Sequence, residues 1–408
     1  MNWRYVEMRA GVRAALVIGM FCALASGAAA ADYGEKDSKN KGGAESGLSV
    51  SVEAGLGYDS NVFLTPDNPY VDLAQTGSPT VTPDKHTGFF VPLGLDAEYQ
   101  RAMRKGTRLL SDFSFDGNIY EPGVDNANLY DAEFTLGPEF ELSRDSALYA
   151  GIILGYHKKI YYDKDDGLNK VSGASDISDR YTYSNAGVEL SYRHDLGKAG
   201  YEVFASFEKR DYEDPMVVSQ YDHDYLNFGG SVDYKLAGAT KVSAGYRYSV
   251  RDYNDRKARD LNGNILVANP QLEYAYHTID LTLRQRVNKS LVAYVDYTRQ
   301  DRKDEFVGYN DYGQNRYKVR AIYTPSKDLR LRVAASYWDR EYDRAFAFDD
   351  PAGGKKDYSG ITFDAGAEYG YSKSVALWAD INYDSQDTTD KRYEYDRTQL
   401  SAGVKYEF

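Results

Sequence analysis

From Gly47 onward, apolar and polar residues alternate one for one along the chain. In the stretch 240–251, Val242, Ala244, Tyr246, Tyr248 and Val250 fall on one parity, and Lys241, Ser243, Gly245, Arg247, Ser249 and Arg251 on the other. A helix would scatter both sets around its circumference, whereas a strand puts each on its own side. The split recurs. Leu329, Leu331, Val333, Ala335 and Tyr337 oppose Arg330, Arg332 and Ser336. Ile361, Phe363, Ala365, Ala367 and Tyr369 oppose Thr362, Asp364, Gly366 and Glu368, and Val375, Leu377, Ala379, Ile381 and Tyr383 oppose Asp380, Asn382 and Asp384. The pattern predicts strands near 47–58, 88–99, 107–119, 129–142, 147–160, 180–193, 200–213, 221–236, 240–252, 273–286, 290–302, 313–324, 328–341, 358–371, 374–385 and 393–407. Most exceed the roughly 9–11 residues that cross a bilayer at a tilt.

The connections alternate as well. Short turns such as His194 to Ala199, Val287 to Lys289 and Pro325 to Lys327 follow the even-numbered strands. Long polar segments such as 59–87, 161–179, 253–272 and 342–357 lie between them. Alternation of this kind puts every short turn on one side of a sheet and every long loop on the other. The expected fold class is therefore all-β: a transmembrane antiparallel up-and-down β-barrel of about 16 strands, with short periplasmic turns and long extracellular loops. A soluble propeller or sandwich would use strands of about five or six residues around a packed interior, and the second face here is polar.

The N-terminus changes the picture only as an address. Arg9 and Arg13 precede an apolar run, Ala14 to Ala25, and Ala28, Ala29 and Ala30 form a small-residue cleavage site. The expected organisation is a signal peptide over 1–30, with Met8 as an alternative start, a flexible periplasmic lead-in over 31–46 and the barrel over 47–408. The apolar run is too short for a spanning anchor. The one cysteine, Cys22, lies inside the leader, so the chain beyond it has no thiol chemistry. Net charge is −13, which makes nucleic acid an unsuitable partner. The 39 tyrosines suit two membrane-interface belts.

Sixteen strands enclose more space than side chains fill, so the polar face is expected to line a wet channel. Pore-lining basic candidates are Lys241, Arg247, Arg251, Arg284, Arg286, Arg316, Lys318, Arg320, Arg330 and Arg332. The acidic candidates are Glu53, Asp96, Glu98, Asp112, Asp116, Glu133, Glu139, Glu141, Asp364, Glu368, Asp380 and Asp384. Two readings stay open. A basic wall facing an acidic wall would set a transverse field, or pairs between neighbouring staves would cancel and the charges would merely keep the lumen wet.

No catalytic constellation is readable among His86, His157, His194, His223 and His277, and the expectation is that the chain is not an enzyme and needs no cofactor or metal. Asp222-His223-Asp224 sits at a strand end, where solvated charge is usual. Asp163-Lys-Asp-Asp-Gly167 lacks the ligand spacing and closing Glu of a calcium loop. At the C-terminus Leu400, Ala402, Val404, Tyr406 and Phe408 share one face and resemble the assembly signal of outer-membrane proteins.

The segment Gly57-Tyr-Asp-Ser-Asn-Val-Phe63, followed by Tyr-rich strands to a terminal Phe, resembles the β-barrel porin-2 family over most of the chain. Surface-lipoprotein-exporting barrels carry a similar segment, but after a helical-repeat domain for which there is no room here. The resemblance implies a Gram-negative outer-membrane channel for exopolysaccharide or capsular polysaccharide. The alternatives are a general or selective porin for small hydrophilic solutes and a plugged structural or adhesive barrel. Expected partners are outer-membrane lipids, lipopolysaccharide and the barrel assembly machinery, with periplasmic polysaccharide export proteins if the resemblance extends to function.

Overall fold

The computed structural model describes residues 46–213 and 221–408. The leader and all but the last residue of the lead-in lie outside the described residues. The strands are β1 (Gly47–Asp59), β2 (Gly88–Arg104), β3 (Thr107–Tyr120), β4 (Leu129–Ser143), β5 (Ser146–Lys159), β6 (Tyr183–Asp195), β7 (Ala199–Tyr212) and β8 (His223–Ala237). They continue as β9 (Thr240–Lys257), β10 (Gln271–Arg286), β11 (Leu291–Asp304), β12 (Tyr312–Ser326), β13 (Leu329–Phe346), β14 (Lys355–Gly370), β15 (Val375–Thr388) and β16 (Tyr395–Glu407). Each strand pairs with its neighbours in sequence and β16 returns to β1, closing a barrel. All pairings are antiparallel, as the alternation of short turns and long loops requires.

One parity of each strand carries large apolar side chains left open at the surface, among them Val188 at 56 %, Val232 at 54 % and Ile361 at 52 % exposure. In water this would be costly, but against hydrocarbon it is the favourable arrangement. Aromatic pairs sit on the same outer face towards both rims: Tyr58 with Phe89 at 5.6 Å on the loop side, and Tyr192 with Tyr201 at 6.0 Å on the turn side.

Several strands outrun the alternation that betrays them. β9 continues to Lys257 and β13 to Phe346. Residues 252–257, Asp-Tyr-Asn-Asp-Arg-Lys, are polar on both parities. The apolar period fails where both faces are wet, and the ladder to β10 breaks after Asp252 and resumes, out of register, where Lys257 pairs with Gln271.

The seam where the first and last strands meet is a thin place in the wall. Gly55 of β1 pairs with Gly403 of β16, and Gly403 also pairs with Trp378 of β15. The Trp378 indole lies over both glycines, and a Cβ on Gly403 would meet it at 2.6 Å.

Candidate functional site

The ladder brings every charged pore-lining candidate onto the parity opposite the apolar one. Lys241 faces Arg284, Arg247 faces Thr278 and Arg251 faces Tyr274 across β9 and β10. Lys318 faces Asp296, Arg316 faces Thr298, and Arg320 and Arg284 both face Tyr294. Arg286 faces Val292, Arg330 faces Glu368 and Arg332 faces Gly366. On the acidic side Glu53 faces Gly94, Asp96 faces Ser114, Glu98 faces Asp112 and Asp116 faces Asp131. Glu133 faces Gly155, Glu139 faces Tyr149 and Glu141 faces Ala147, while Asp364 faces Asn382, Asp380 faces Gly366 and Asp384 faces Thr362. This parity is the inner wall: Arg251, Tyr274, Arg302 and Tyr342 from four strands border one cavity together with the loop residues Tyr181, Tyr221 and Asp349. With β16 closed on β1, β9 lies across the ring from β1 and β12 across from β4.

The two walls are less one-sided than the bare residue types suggest. Arg320 pairs with Asp296 at 2.8 Å, Lys241 with Asp233 at 2.9 Å and Arg332 with Asp380 at 2.7 Å. Glu139 is buried between Arg108 and Arg193, at 2.5 and 2.9 Å. Among the described residues no carboxylate pairs with Arg247, Arg251, Arg284, Arg286, Arg316, Lys318 or Arg330.

Towards the loops the inner wall changes character. Tyr183, Tyr212, Tyr253, Tyr274, Tyr276, Tyr312 and Tyr342 stand on the inner parity; Tyr183 packs on Tyr212, Tyr274 on Tyr253 and Tyr276, and Tyr312 on Tyr342, with His223 between the first and second groups and Arg302 between the second and third. Assigning the tyrosines to membrane belts therefore needs correction, because many of them face inwards. Their parity, shared with the charged set, is the signal that would have shown it. Arginines lie against these rings: Arg302 at 4.3 Å from Tyr274 and Tyr312, Arg340 at 4.7 Å from Tyr312, and Arg210 at 4.6 Å from Tyr225. Charge counting along the central strands passed over Arg302 and Arg340.

The long loops interlock above this belt. Asp59 and Asn61, from the segment that carries the family resemblance, are fully buried. Asp59 accepts from Tyr120 Oη and from Gln399 Nε2, both at 2.8 Å. Asn61 donates to the carbonyls of Thr65 and Asp396 at 2.9 and 3.0 Å, so the segment ties the loop after β1 to the seam. Phe63 packs edge-on against Tyr162 of the loop after β5, at 4.9 Å. That loop reaches on until Lys164 lies over Tyr393 and Tyr395 at 5.2 and 5.5 Å. Burial, with Lys159 and Arg397 nearby, lowers the Lys164 ammonium to about 8. Tyr70 packs on Phe348 of the loop after β13 and donates to Asp165 at 2.9 Å. Phe348 and Asp349 hold the left-handed conformation, φ 58° and 55°, which non-glycine residues adopt only when their surroundings enforce it. Part of that enforcement comes from Asp390, which accepts from Phe348 N at 3.0 Å while gripped by Arg392 at 2.9 Å. Burial works to raise the Asp390 carboxyl, but Arg392, Lys356 and the Phe348 N–H hold it below the ordinary carboxylate range.

The other motifs are absorbed by local structure. Asp163 binds Lys170 and caps Asp165 N at 3.1 Å. His223 is buried between Tyr212 and Tyr253, its Nδ1 facing Tyr221 O at 2.8 Å. Asp222 accepts from Tyr212 N at 2.8 Å. Leu400, Ala402, Val404 and Tyr406 pair with Tyr58, Leu56, Ala54 and Val52 on the outer face, and the Phe408 ring meets Tyr406 at 4.5 Å.

No protein-family model matches the chain, and no curated protein matches it. Among solved structures it is similar to a loop-deletion mutant of OmpT, an outer membrane protein of Vibrio cholerae, at 12% identity over 89% of this chain and 99% of that one, with a TM-score of 0.47. A bacterial polysaccharide outer membrane secretin is similar at 9% identity over 88% and 98% of the two chains, with a TM-score of 0.44. A mutant of the Rh. blastica porin is similar at 10% identity over 89% and 100%, with a TM-score of 0.39.

Proposed function

We propose that the chain is an outer-membrane channel that passes polysaccharide. The observation that carries this reading is the inner belt of tyrosines. Rings on the outer face serve a membrane interface, but rings on the inner wall have no lipid to meet. A wall that alternates flat apolar faces, phenol hydroxyls and guanidinium groups suits a ligand with apolar ring faces and hydroxyl edges, which is the chemistry of a sugar. The resemblance of residues 57–63 to the porin-2 family agrees with this reading. No step of it calls for a catalytic residue or a cofactor. The partners it requires are lipids, lipopolysaccharide and the assembly machinery, with periplasmic export proteins to deliver the polymer.

The interlocked loops over the mouth favour a second reading, a narrow porin for small hydrophilic solutes. Deleting the gene and measuring surface polysaccharide separates the two, together with conductance of the purified protein in planar bilayers. Loss of surface polymer with a conducting pore is the expected result. Unchanged polymer with a small, steady conductance would favour the narrow porin.

A further inference from the structure

Two cavities adjoin on the inner wall near the mouth. One, of about 360 Å³, is bordered by Arg251, Arg256, Arg302 and Lys356 set among tyrosines, with loop residues on its upper side. The other, of about 310 Å³, lies on the side away from the loops and is bordered by Arg247, Arg251 and Arg302, with Tyr225, Tyr276 and Tyr312. Arg251 and Arg302 border both, so the two form a single trough running along the wall.

The trough is rich in cations that nothing neutralises. Among the described residues no carboxylate pairs with Arg247, Arg251, Arg256 or Arg302. Asp349, on the rim, is the partner of Arg259 at 3.5 Å, and Asp390 serves Lys356 at 3.7 Å together with Arg392. Asp304, which faces Tyr274, is taken up by Asn310 and the Phe306 N–H. Rings and one carbonyl hold the guanidinium groups in place: Arg302 lies between Tyr274 and Tyr312, both at 4.3 Å, and donates from Nε and Nη2 to Asn310 O at 3.0 and 2.6 Å, which leaves its Nη1 for a ligand, while Arg256 lies on Tyr221 at 4.6 Å. An aromatic face attracts a cation through its quadrupole and leaves the positive charge intact. Arg251 donates to Tyr253 Oη at 3.3 Å, but its Nε is buried and has no partner. Positive charge confined between low-dielectric walls projects strongly into the space it borders.

We propose that this trough binds two consecutive uronate units of an acidic polysaccharide, one carboxylate in each cavity, with Arg251 and Arg302 shared between them. A carboxylate matches the planar fork of a guanidinium. The surrounding tyrosines supply ring faces and hydroxyls for the sugar itself. The polymer as the natural ligand rests on the polysaccharide-channel reading, whereas the site rests on the geometry alone. A free small carboxylate would use the same groups but only one cavity, so chain length tells the two sources apart.

The test is calorimetric titration of the detergent-solubilised full chain with trigalacturonate, galacturonate monomer and maltotriose. Trigalacturonate binds about tenfold or more tighter than the monomer, because the second contact is made within an already bound molecule. Maltotriose, which lacks the carboxylates, binds weaker by about tenfold or more, the share of one charge-assisted hydrogen bond. Trigalacturonate affinity falls with added salt in the unaltered protein, a measurement that needs no variant. Arg251→Gln and Arg302→Gln each lose about tenfold, and Lys327→Gln in a distant turn loses nothing; heat-modifiable mobility confirms that each variant is a folded barrel. Equal affinity for maltotriose, for the monomer or in the arginine variants would overturn the site. A conducting pore without trigalacturonate binding sinks this proposal alone, and a silent bilayer with intact binding sinks the channel reading alone.

Discussion

The inner wall is built twice, in two chemistries. In the half nearer the short turns, several cations meet carboxylates, Arg320 with Asp296, Lys241 with Asp233 and Arg332 with Asp380, beside Arg284, Arg286 and Arg330, which pair with none among the described residues. In the half nearer the loops they meet rings: Arg302 with Tyr274 and Tyr312, Arg340 with Tyr312, Arg256 with Tyr221. Both arrangements hold a long side chain in place. Only the first removes its charge from the lumen. A carboxylate turns a guanidinium into a local dipole, and a phenol ring leaves it a monopole. The same residue type is therefore a structural tie where a carboxylate meets it and a source of field where none does.

Breaking the mouth should produce the largest effect. Asp390→Ala leaves Arg392 and Lys356 without their buried partner and frees Phe348 N. Removing one member of a buried pair costs about 3–5 kcal/mol. We expect faster amide exchange and easier proteolysis across 347–394, with the turn-side strands unchanged, as read by hydrogen-exchange mass spectrometry. Protection equal to that of the unaltered protein would mean that the loops are held elsewhere.

Next in size comes the field of the unpaired cations. Arg247→Glu, Arg284→Glu and Arg330→Glu together should move the reversal potential in a salt gradient towards cation preference. The shift should grow at low salt, where the Debye length exceeds its value of about 10 Å at 0.1 M. An open pore with unchanged selectivity would contradict the placement of these charges in the conducting path.

The smallest change sharpens the contrast. Replacing both members of a tie, Arg332→Gln with Asp380→Asn, removes a dipole and no net charge. Selectivity should stay where it was, and stability should fall by no more than about 1 kcal/mol, as for a partly exposed pair. A large selectivity shift here would erase the distinction between paired and unpaired cations.

Strand number, order and direction could all be read from the chain, because a lipid-facing row and a water-facing row impose a strict period of two wherever the wall crosses the membrane. Val242 to Val250 shows this plainly. The reading stopped short at 252–257, where both faces are wet and the period vanishes. Tyrosine misled for a different reason. The residue suits a membrane interface and a sugar-like ligand equally, so its type says nothing of its side, and only its parity does. The loop contacts were out of reach altogether. Lys164 on Tyr393 and Tyr70 on Phe348 join segments far apart in sequence, through shapes that no local pattern encodes.

The glycine-lined seam under Trp378 also governs how such a wall comes into being. Its bonds join the two ends of the sheet: Phe408 N donates to Val50 O at 2.9 Å, and Ser51 pairs with Glu407. Every other stave can zip onto the one made just before it, but this contact spans nearly the whole chain, and contacts of such sequence separation form slowly. Until it forms, β1 and β16 are open edges that would accept any passing strand. Nascent chains therefore spend their most vulnerable interval with the seam unmade, and whatever shields those edges during that interval sets the yield of closed barrels.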